Sequence, residues 1–466
     1  MGQLSPTPGI TDLAGTSRQL PQQPLLRGMG LLGALAANML NMIGVGPFIT
    51  IPLILAAMGG PQAALGWCLG AVIAICDGLV WAELGAAMPG SGASYRYLLE
   101  AYGRSGLGRL MSFLFLWQIV FIAPLSAASG AVGFADYAGY LFPGITPLQL
   151  KVLAATACLV ATVLLYRDIR NVERLSVALW VVVMATLVWV VGAGLQHFHA
   201  RVAFDFPPGA FHLSKSFFGG LGAAALIAMY DYGGYFNVCY FAEEVKKPER
   251  TIPKSIILSI AIVGILYLAL NISVIGVVPY REAMHSTAII SEFGQRLYGA
   301  GIARWVTVLI MWTAFSSIFA VLLGFSRVPY AAAVDGQFFA VFARVHPKKQ
   351  FPSFSVVAMG IAAALCCALS LKELINAIIV IQIVIQFIAQ CIAVPLIRHC
   401  RKDIHLPFRM WLYPVPMILA LLGWVIILAT SGWRYILLAF GVLALGTVAY
   451  LWRARRRQEW PFGVVS

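Results

Sequence analysis

Charged residues are scarce in this chain of 466 amino acids: Asp, Glu, Lys and Arg together make up 11% of it, whereas hydrophobic residues make up 61%. The mean hydropathy is correspondingly high, at +0.86. A soluble domain usually carries about 25% charged residues. The composition therefore excludes a soluble domain of this length and indicates a polytopic membrane protein.

Histidine and the common catalytic motifs are also lacking. The chain has seven histidines and no HExxH or GxSxG motif, which argues against a membrane-embedded enzyme. Its eight cysteines show no CxxC spacing, so neither a disulfide framework nor a zinc site is indicated. We interpret the HxH pair of His197 and His199 as solvated loop residues. The sequence predicts no catalytic residue, no cofactor and no metal.

Long apolar runs, in contrast, are abundant, and about 20 such residues cross a bilayer as a helix. They predict an all-α integral membrane protein with 12 transmembrane spans. The first six cover residues 29–58, 61–88, 110–140, 147–166, 172–196 and 214–242, and the others start near 254, 302, 353, 374, 411 and 434. A polar stretch at 90–96 precedes a short amphipathic helix, which we expect at the membrane interface.

Lysine and arginine fall mostly in the segments on one side of this membrane, which places both termini in the cytoplasm. The net charge of +14 therefore indicates anionic lipid and not nucleic acid as the partner. The basic loop at 246–254, with Glu243 and Glu244, anchors the topology or forms an inner-gate ion pair. Short loops between the spans favour a bacterial cell as the setting, with the protein in its plasma membrane, that is, the inner membrane.

The spans also divide the chain into regions. No apolar core precedes the first span, so we expect no cleaved leader. The predicted regions are a disordered cytoplasmic N-terminal tail (1–27), a ten-span transport core (28–400) with halves at about 28–200 and 210–400, two additional spans (401–452) and a basic cytoplasmic C-terminal tail (453–466).

Glycine-rich stretches interrupt two of the runs near mid-membrane depth: residues 43–47 (Ile-Gly-Val-Gly-Pro) in the first and 230–234 (Tyr-Asp-Tyr-Gly-Gly) in the sixth. Glycine tolerates backbone angles that a β-carbon forbids, and proline removes an amide donor. Inside hydrocarbon, unwound backbone survives only when it is buried in protein or lines a cavity. The stretches therefore predict a solute site, while a kink for close helix packing stays an alternative for the first.

The chemistry of two such breaks suits a zwitterion. Amides at the start of the following half-helix favour a carboxylate, and carbonyls at the end of the preceding one favour an ammonium or a small cation. The breaks lie in the first and sixth of ten spans, which are corresponding positions of two five-span halves. This correspondence is typical of inverted-repeat transporters.

Several short motifs lie between the first span and the end of the eighth. The sixth-span stretch leads into residues 243–253, which are similar to an E-E-x-x-x-P-x-R-x-x-P loop. The others are residues 44–48, 82–84, 89–93, and Ser326-Arg327 followed by Asp335-Gly336. Together they resemble the amino acid-polyamine-organocation (APC) superfamily of permeases.

This resemblance implies a LeuT-like 5+5 inverted repeat plus two extra helices, with alternating access to a site between the first, third, sixth, eighth and tenth spans. It implies that the amides of residues 44–46 receive a carboxylate and that carbonyls near 43, 230 and 231 receive an amine. The implied substrate-binding residues are Ile43, Gly44, Val45, Gly46, Ser126, Tyr230, Asp231, Tyr232, Gly233, Gly234 and Gln382.

Pro47 departs from the usual family pattern, because it deletes one amide beside the expected anion pocket. A similar Gly-Gly-Pro-Phe occurs in the plant polyamine-uptake branch, whose substrates lack a carboxylate. Amino acids are the substrates that the resemblance favours, and polyamines or other organic cations stay the alternative.

Asp231 is the most informative single residue, since an isolated carboxylate at mid-span costs about 2.5 to 3.5 kcal/mol to insert. We expect it to pair with a substrate ammonium or to take up a proton. The alternative is that a neighbouring polar group, such as Tyr230 or Tyr232, neutralises it.

Other polar residues inside the spans are less diagnostic. Gln382, Gln386 and Gln390 share one face of the tenth span and should point inward. Gln382 contacts solute or, as the simpler interpretation, bonds a neighbouring helix. Asp77 and Asp136 are interpreted as structural or near water.

Ion coupling is the least determined feature. Many relatives have a lysine in the fifth span, but no basic residue lies between Arg174 and Arg201 here, which excludes proton coupling through that lysine. Asp231 as a proton carrier, Na⁺ held by Ser316 and Ser317, and exchange without an ion remain open. The sequence as a whole predicts a secondary carrier for amino acids or related amines, in preference to a channel or an enzyme.

Overall fold

The computed structural model describes residues 29–90, 93–103, 106–166, 169–334, 336–346, 352–457 and 459–463, and within these ranges it contains helices but no β-sheet. The predicted N-terminal tail at 1–27 lies outside them. The α-helices are α1 (Leu31–Met42), α2 (Gly46–Met58), α3 (Ala64–Ala87), α4 (Ser94–Tyr102), α5 (Leu107–Leu141), α6 (Pro147–Leu165), α7 (Ile169–Gln196), α8 (Ala200–Ala203), α9 (Lys215–Tyr232), α10 (Pro248–Ile275), α11 (Tyr280–Ala283), α12 (Ile289–Phe325), α13 (Arg327–Val334), α14 (Ser353–Cys366), α15 (Leu371–Gln382), α16 (Ala389–Cys400), α17 (Val415–Thr430) and α18 (Trp433–Arg457).

Every predicted apolar run coincides with one or two of these helices. Among the described residues, seven helical segments are long and apolar enough to cross a membrane, and four further apolar helices are shorter. The all-α, multi-pass membrane class is thereby confirmed. The amphipathic helix expected after residues 90–96 is α4.

Helix α12 is two helices joined at a kink. Gly299 has φ 79° and ψ 177°, which is outside the helical region and strained for any residue with a β-carbon. The part before Gly299 had not been predicted, since the eighth run was placed from about residue 302. The longer part after it corresponds to that run.

The helices pack as two groups around two long pairings, α3 along α10 and α5 along α12. The first group adds α1, α2 and α9 to α3 and α10. The second adds α6 and α14 to α5 and α12. One buried apolar cluster is built mainly on the first group but extends onto α12, and a second is built on the second group.

Contacts between the two halves of the chain are reciprocal. Helix α1 packs on α10 while α9 packs on α3, α7 packs on α12 while α15 packs on α5, and α6 packs on α12 while α14 packs on α5. This reciprocity is the contact pattern that a two-fold relation between two halves would produce, because each contact then implies a matching one. The two interrupted helices, α1–α2 and α9 with its continuation, occupy equivalent places in this scheme.

A buried ion pair fastens the end of α3. The Arg398 guanidinium on α16 makes two 2.6 Å hydrogen bonds to the Glu83 carboxylate, whose side chain is 1% exposed. The Met410 amide donates to the same carboxylate at 2.7 Å. Arg398 also lies 3.8 Å from the centroid of the Tyr413 ring. Glu83, part of the 82–84 motif, thus joins α3, α16 and the segment that leads to α17.

Candidate functional site

The first helical run is interrupted where the sequence predicts it. Helix α1 ends at Met42, and α2 starts at Gly46. Between them Ile43 has φ −89° and ψ 86°, which is not helical. The amides in the first turn of α2 have no carbonyl partner within the helix, and Pro47 has no amide hydrogen. The break therefore exposes backbone groups of both signs.

The second break lies slightly later than expected. Tyr230, Asp231 and Tyr232 form the last turn of α9, and the chain leaves the helix only at Gly233, with φ −53° and ψ 138°. Gly234 has φ 114°, and a β-carbon there would come within 2.9 to 3.1 Å of Asn41. Both the left-handed backbone and this close approach require glycine. A 3₁₀-helix at Asn237–Glu244 continues the chain.

The two breaks are in direct contact. Gly234 lies on Asn41, the Val238 amide donates to Asn38 Oδ1 at 2.8 Å, and Asn237 Nδ2 donates to the Ala37 carbonyl at 3.2 Å. The second half of the sixth run is thus bonded to α1. Neither break faces lipid as an isolated kink.

One hydroxyl joins the ends of both helices. Tyr267 Oη on α10 lies 2.6 Å from the carbonyl oxygen of Met42, the last residue of α1. It also lies 3.4 Å from the carbonyl oxygen of Asp231, in the last turn of α9. The hydroxyl has one hydrogen to donate, and the shorter contact makes the Met42 carbonyl its main acceptor. The Met42 carbonyl also accepts the Gly44 amide at 3.1 Å.

Asp231 is buried, with 2% of its surface exposed, and its two carboxylate oxygens differ. Oδ2 accepts a 2.6 Å hydrogen bond from Thr50 Oγ1 on α2. Oδ1 has no hydrogen-bond partner among the described residues and packs directly over Gly46. A buried acceptor without a donor is costly, which points to a missing partner.

The neighbours proposed to neutralise Asp231 were wrong. The Tyr230 hydroxyl is hydrogen-bonded to Ser129 Oγ at 2.8 Å, and the Tyr232 hydroxyl donates to the Trp67 carbonyl at 3.4 Å. Thr50 is the donor instead. It is neutral, so it does not compensate the charge of the carboxylate.

The predicted cation-coupling serines make different contacts. Ser317 Oγ accepts the Val45 amide at 2.9 Å and donates to the Thr313 carbonyl at 3.2 Å. Ser316 Oγ donates to the Trp312 carbonyl of its own helix at 2.7 Å. Ser317 therefore bridges α12 and the first break, whereas Ser316 bonds within α12.

The glutamines of the tenth run all point inward, as predicted: Gln382, Gln386 and Gln390 are at most 8% exposed. Gln386 Oε1 accepts from Gln118 Nε2 at 3.4 Å, and Gln390 is bonded to Ser94 Oγ. A π-helical turn at Ile383–Ile388, which the sequence did not predict, directly follows Gln382. Such turns are frequent at functional sites.

Exposure separates the predicted site residues into two sets. One set is half-buried and keeps some accessible surface, while the other is buried. The accessible set is Gly44, Ser126, Tyr230, Gly233 and Ser317, and the buried set is Ile43, Val45, Gly46, Asp231, Tyr232, Gly234 and Gln382. The accessible residues come from α5, α9, α12 and both breaks, the elements that a shared site needs.

Sequence reasoning missed Thr50, Ser129 and Tyr267, which contact Asp231, Tyr230 and the helix ends. Each is a single hydroxyl in an apolar run. A hydroxyl there is also compatible with helix packing, so only the tertiary contacts identify its partner.

Asp77 is a structural residue, as interpreted. Its carboxylate accepts from Tyr235 Oη at 2.5 Å, from Trp424 Nε1 at 3.0 Å and from Cys391 Sγ at 3.8 Å. The donors come from the segment after the second break, α17 and α16. Asp136 is half-buried on α5.

A cavity of about 460 Å³ lies away from the breaks, beside the ends of α3 and α4. Its charged lining is already paired: Arg401 contacts Glu100 at 2.7 Å and Asp403 at 2.7 Å. We assign no ligand to it.

Comparison with known proteins identifies the family. The amino acid permease family model matches residues 29–448, so the chain belongs to this family of membrane transporters and is not an enzyme. The chain is 26% identical to the b(0,+)-type amino acid transporter 1 of Mus musculus, over 93% of this chain and 89% of that protein.

Two other relatives show how far the similarity extends. The chain is 27% identical to the vacuolar cationic amino acid transporter 4 of Arabidopsis thaliana, over 73% of this chain but only 58% of that protein. It is 29% identical to an uncharacterized transporter of Mycobacterium bovis, over 77% of this chain and 78% of that protein.

Proposed function

We propose that this protein is a secondary active transporter that moves amino acids or closely related amines across a plasma membrane by alternating access. Its architecture is a LeuT-like 5+5 inverted repeat with two additional helices and 12 spans, both termini lie in the cytoplasm, and the setting is the bacterial inner membrane. The observation that carries the proposal is the meeting of two interrupted helices, joined by Tyr267.

The reciprocal packing of the two halves supports the inverted repeat. It also supplies two packing groups that can rock against each other around a fixed site. The breaks lie on one group, whereas Ser126 and Ser317 lie on the other. A solute held between them contacts both groups, so relative movement exposes it to one side at a time.

The backbone groups at the breaks recognise an ammonium. The carbonyl ends of α1 and α9 lie at the breaks, where the Met42 and Asp231 carbonyls already contact Tyr267 Oη, and the Asp231 carboxylate lies in the last turn of α9. The negative ends of both helix dipoles add to this field. Half-buried Gly44, Tyr230 and Gly233 are the parts of the breaks that a solute meets first.

Both halves of the first run, before and after its break, are held by contacts that an access cycle has to release. On the inner side the Met29 carbonyl accepts the Lys246 amide at 2.8 Å. On the outer side Tyr137 Oη donates to the Phe48 carbonyl at 2.9 Å and accepts the Ile290 amide at 3.4 Å. The Glu243 and Glu244 side chains of the predicted inner-gate pair lie outside the described residues.

For coupling, Asp231 is favoured over a sodium site at Ser316 and Ser317. Ser317 Oγ receives an amide N–H, which presents positive charge where a cation would sit. Asp231 Oδ1, in contrast, is a bare carboxylate oxygen that can accept a proton or an ammonium. Exchange without an ion is the outcome if neither group is used.

Counterflow in proteoliposomes tests the proposal. Vesicles loaded with unlabelled solute should take up the labelled solute faster than empty vesicles, and uptake should saturate. Flux that rises linearly with concentration and shows no acceleration would indicate a channel. Conversion of the solute without net movement would indicate an enzyme.

A further inference from the structure

The amides at the first break, which the family resemblance assigns to a substrate carboxylate, face groups of the protein itself. We infer that the solute carries an ammonium but no carboxylate beside it, and that Asp231 supplies the negative charge at this break. The chemical class is a primary amine, diamine or polyamine. This inference rests on the proposed function and narrows its substrate.

The amides of the break can be followed one by one. The Gly44 amide donates to the Met42 carbonyl at 3.1 Å, and the Val45 amide donates to Ser317 Oγ at 2.9 Å. Residue 47 is proline and has no amide hydrogen. The Phe48 amide donates to the Val45 carbonyl at 3.0 Å. Gly46 is the remaining position where an anion can find a backbone donor.

The Asp231 side chain lies beside Gly46. Its Oδ1 packs so closely over Gly46 that a β-carbon on residue 46 would overlap it, and the Tyr230 ring would lie 3.5 Å from the same β-carbon. Gly46 is itself buried. A substrate carboxylate that entered the break beside Gly46 would therefore approach another carboxylate.

Charge then decides which solute fits. Two carboxylates at one poorly hydrated site repel each other, and they coexist only if one of them is neutralised. An ammonium instead satisfies Oδ1, the oxygen that has no donor among the described residues, through a charge-assisted hydrogen bond. The nearby carbonyls and the Tyr230 and Ser129 hydroxyls can accept its other hydrogens.

Matched ligand pairs test this inference on the purified full-length protein. Each pair consists of an amino acid and its decarboxylation product: lysine and cadaverine, arginine and agmatine, phenylalanine and phenethylamine. In a thermal-shift titration we expect at least one amine to stabilise the protein at a concentration about tenfold or more below its parent amino acid, the scale of a hydrogen bond to a charged group.

Two variants distinguish the effect of the Asp231 carboxylate from the effect of its hydrogen bond to Thr50. Asp231→Asn should weaken amine binding by about tenfold or more and remove the preference over the amino acid. Thr50→Val, which keeps the charge and removes the donor to Oδ2, should retain the preference. If Asp231→Asn does not fold, the preference for the amine over the amino acid, measured in the wild type and in Thr50→Val, still tests the inference.

Stronger stabilisation by the amino acid of every pair would overturn the inference but leave the transporter intact. Absence of binding by all three amines would overturn it as well. Failure of the proposed function looks different, because counterflow would then be absent for amines and amino acids alike.

Discussion

Two carboxylates buried in the helical bundle, Asp77 and Asp231, show how the same residue type serves different purposes. They are equally shielded, at 1% and 2% exposure. Asp77 receives donors from three separate elements, whereas Asp231 receives one donor and keeps an oxygen bare. A carboxylate in a membrane needs compensation in either case. The protein supplies it for Asp77, and we propose that the solute or a proton supplies it for Asp231.

The largest expected effect comes from removing the satisfied carboxylate. Asp77→Leu leaves the Tyr235 hydroxyl and the Trp424 N–H without their acceptor in a buried site. We expect a loss of about 3 to 5 kcal/mol in unfolding free energy, as for other broken buried polar networks. Thermal unfolding of the purified variant measures it. An unchanged melting temperature would show that Asp77 is not a structural residue.

The unsatisfied carboxylate should behave in the opposite way. Asp231→Asn should lower uptake by about thirtyfold or more, the effect of removing one partner of a buried charged contact, while the melting temperature changes little. Uptake into proteoliposomes with equal amounts of folded protein measures this, and Gln382→Asn serves as a control at another predicted site residue. Wild-type uptake by Asp231→Asn would remove this residue from the mechanism.

Tyr267 sharpens the comparison because its hydroxyl supports the backbone at both breaks without touching either carboxylate. Tyr267→Phe keeps the ring that packs at 5.4 Å from Trp67 and removes only the donor. We expect uptake to fall about threefold to tenfold, the worth of one neutral hydrogen bond. Uptake measured beside Tyr232→Phe, which also loses a single hydroxyl, provides the matched control. Equal effects of both variants would argue against a special role for Tyr267.

Removing one donor from each carboxylate gives the smallest expected effects. Trp424→Phe deletes one of three donors to Asp77 but keeps an aromatic ring for stacking, and should cost about 1 kcal/mol of stability. Thr50→Val deletes the Thr50 hydrogen bond to Asp231 and should alter transport more than stability. Melting temperature and uptake should be measured for both variants. A change mainly in uptake for Trp424→Phe and mainly in melting temperature for Thr50→Val would contradict the comparison.

The helices and the breaks could be predicted from the sequence because their signals are local. Apolar runs set the helix positions, and Gly44, Gly46 and Gly234 mark the places where the backbone leaves the helix. Asp231 stood out for the same reason, as a lone charge in an apolar run. These features require only the residues themselves and the bilayer.

Features that depend on contacts between distant segments were missed. The Thr50 hydrogen bond to Asp231 joins residues 181 positions apart, and Tyr267 contacts Met42 across 225 positions. The close approach of Gly234 to Asn41 is also a tertiary contact, between residues far apart in the sequence. The π-helical turn after Gln382 contains no glycine or proline from which it could have been predicted.

The π-helical turn also changes how the last two helices should be regarded. It carries Phe387, whose ring lies parallel to Trp424 of α17 at 3.9 Å and near Phe236 at 6.3 Å. The indole of Trp424 in turn hydrogen-bonds the carboxylate on α3. A shortened chain that stopped after α16 would expose a flat aromatic surface and strip a donor from the interior. The π-helical turn between α15 and α16 therefore packs with α17 as one unit, so residues 28–400 would not keep this packing on their own.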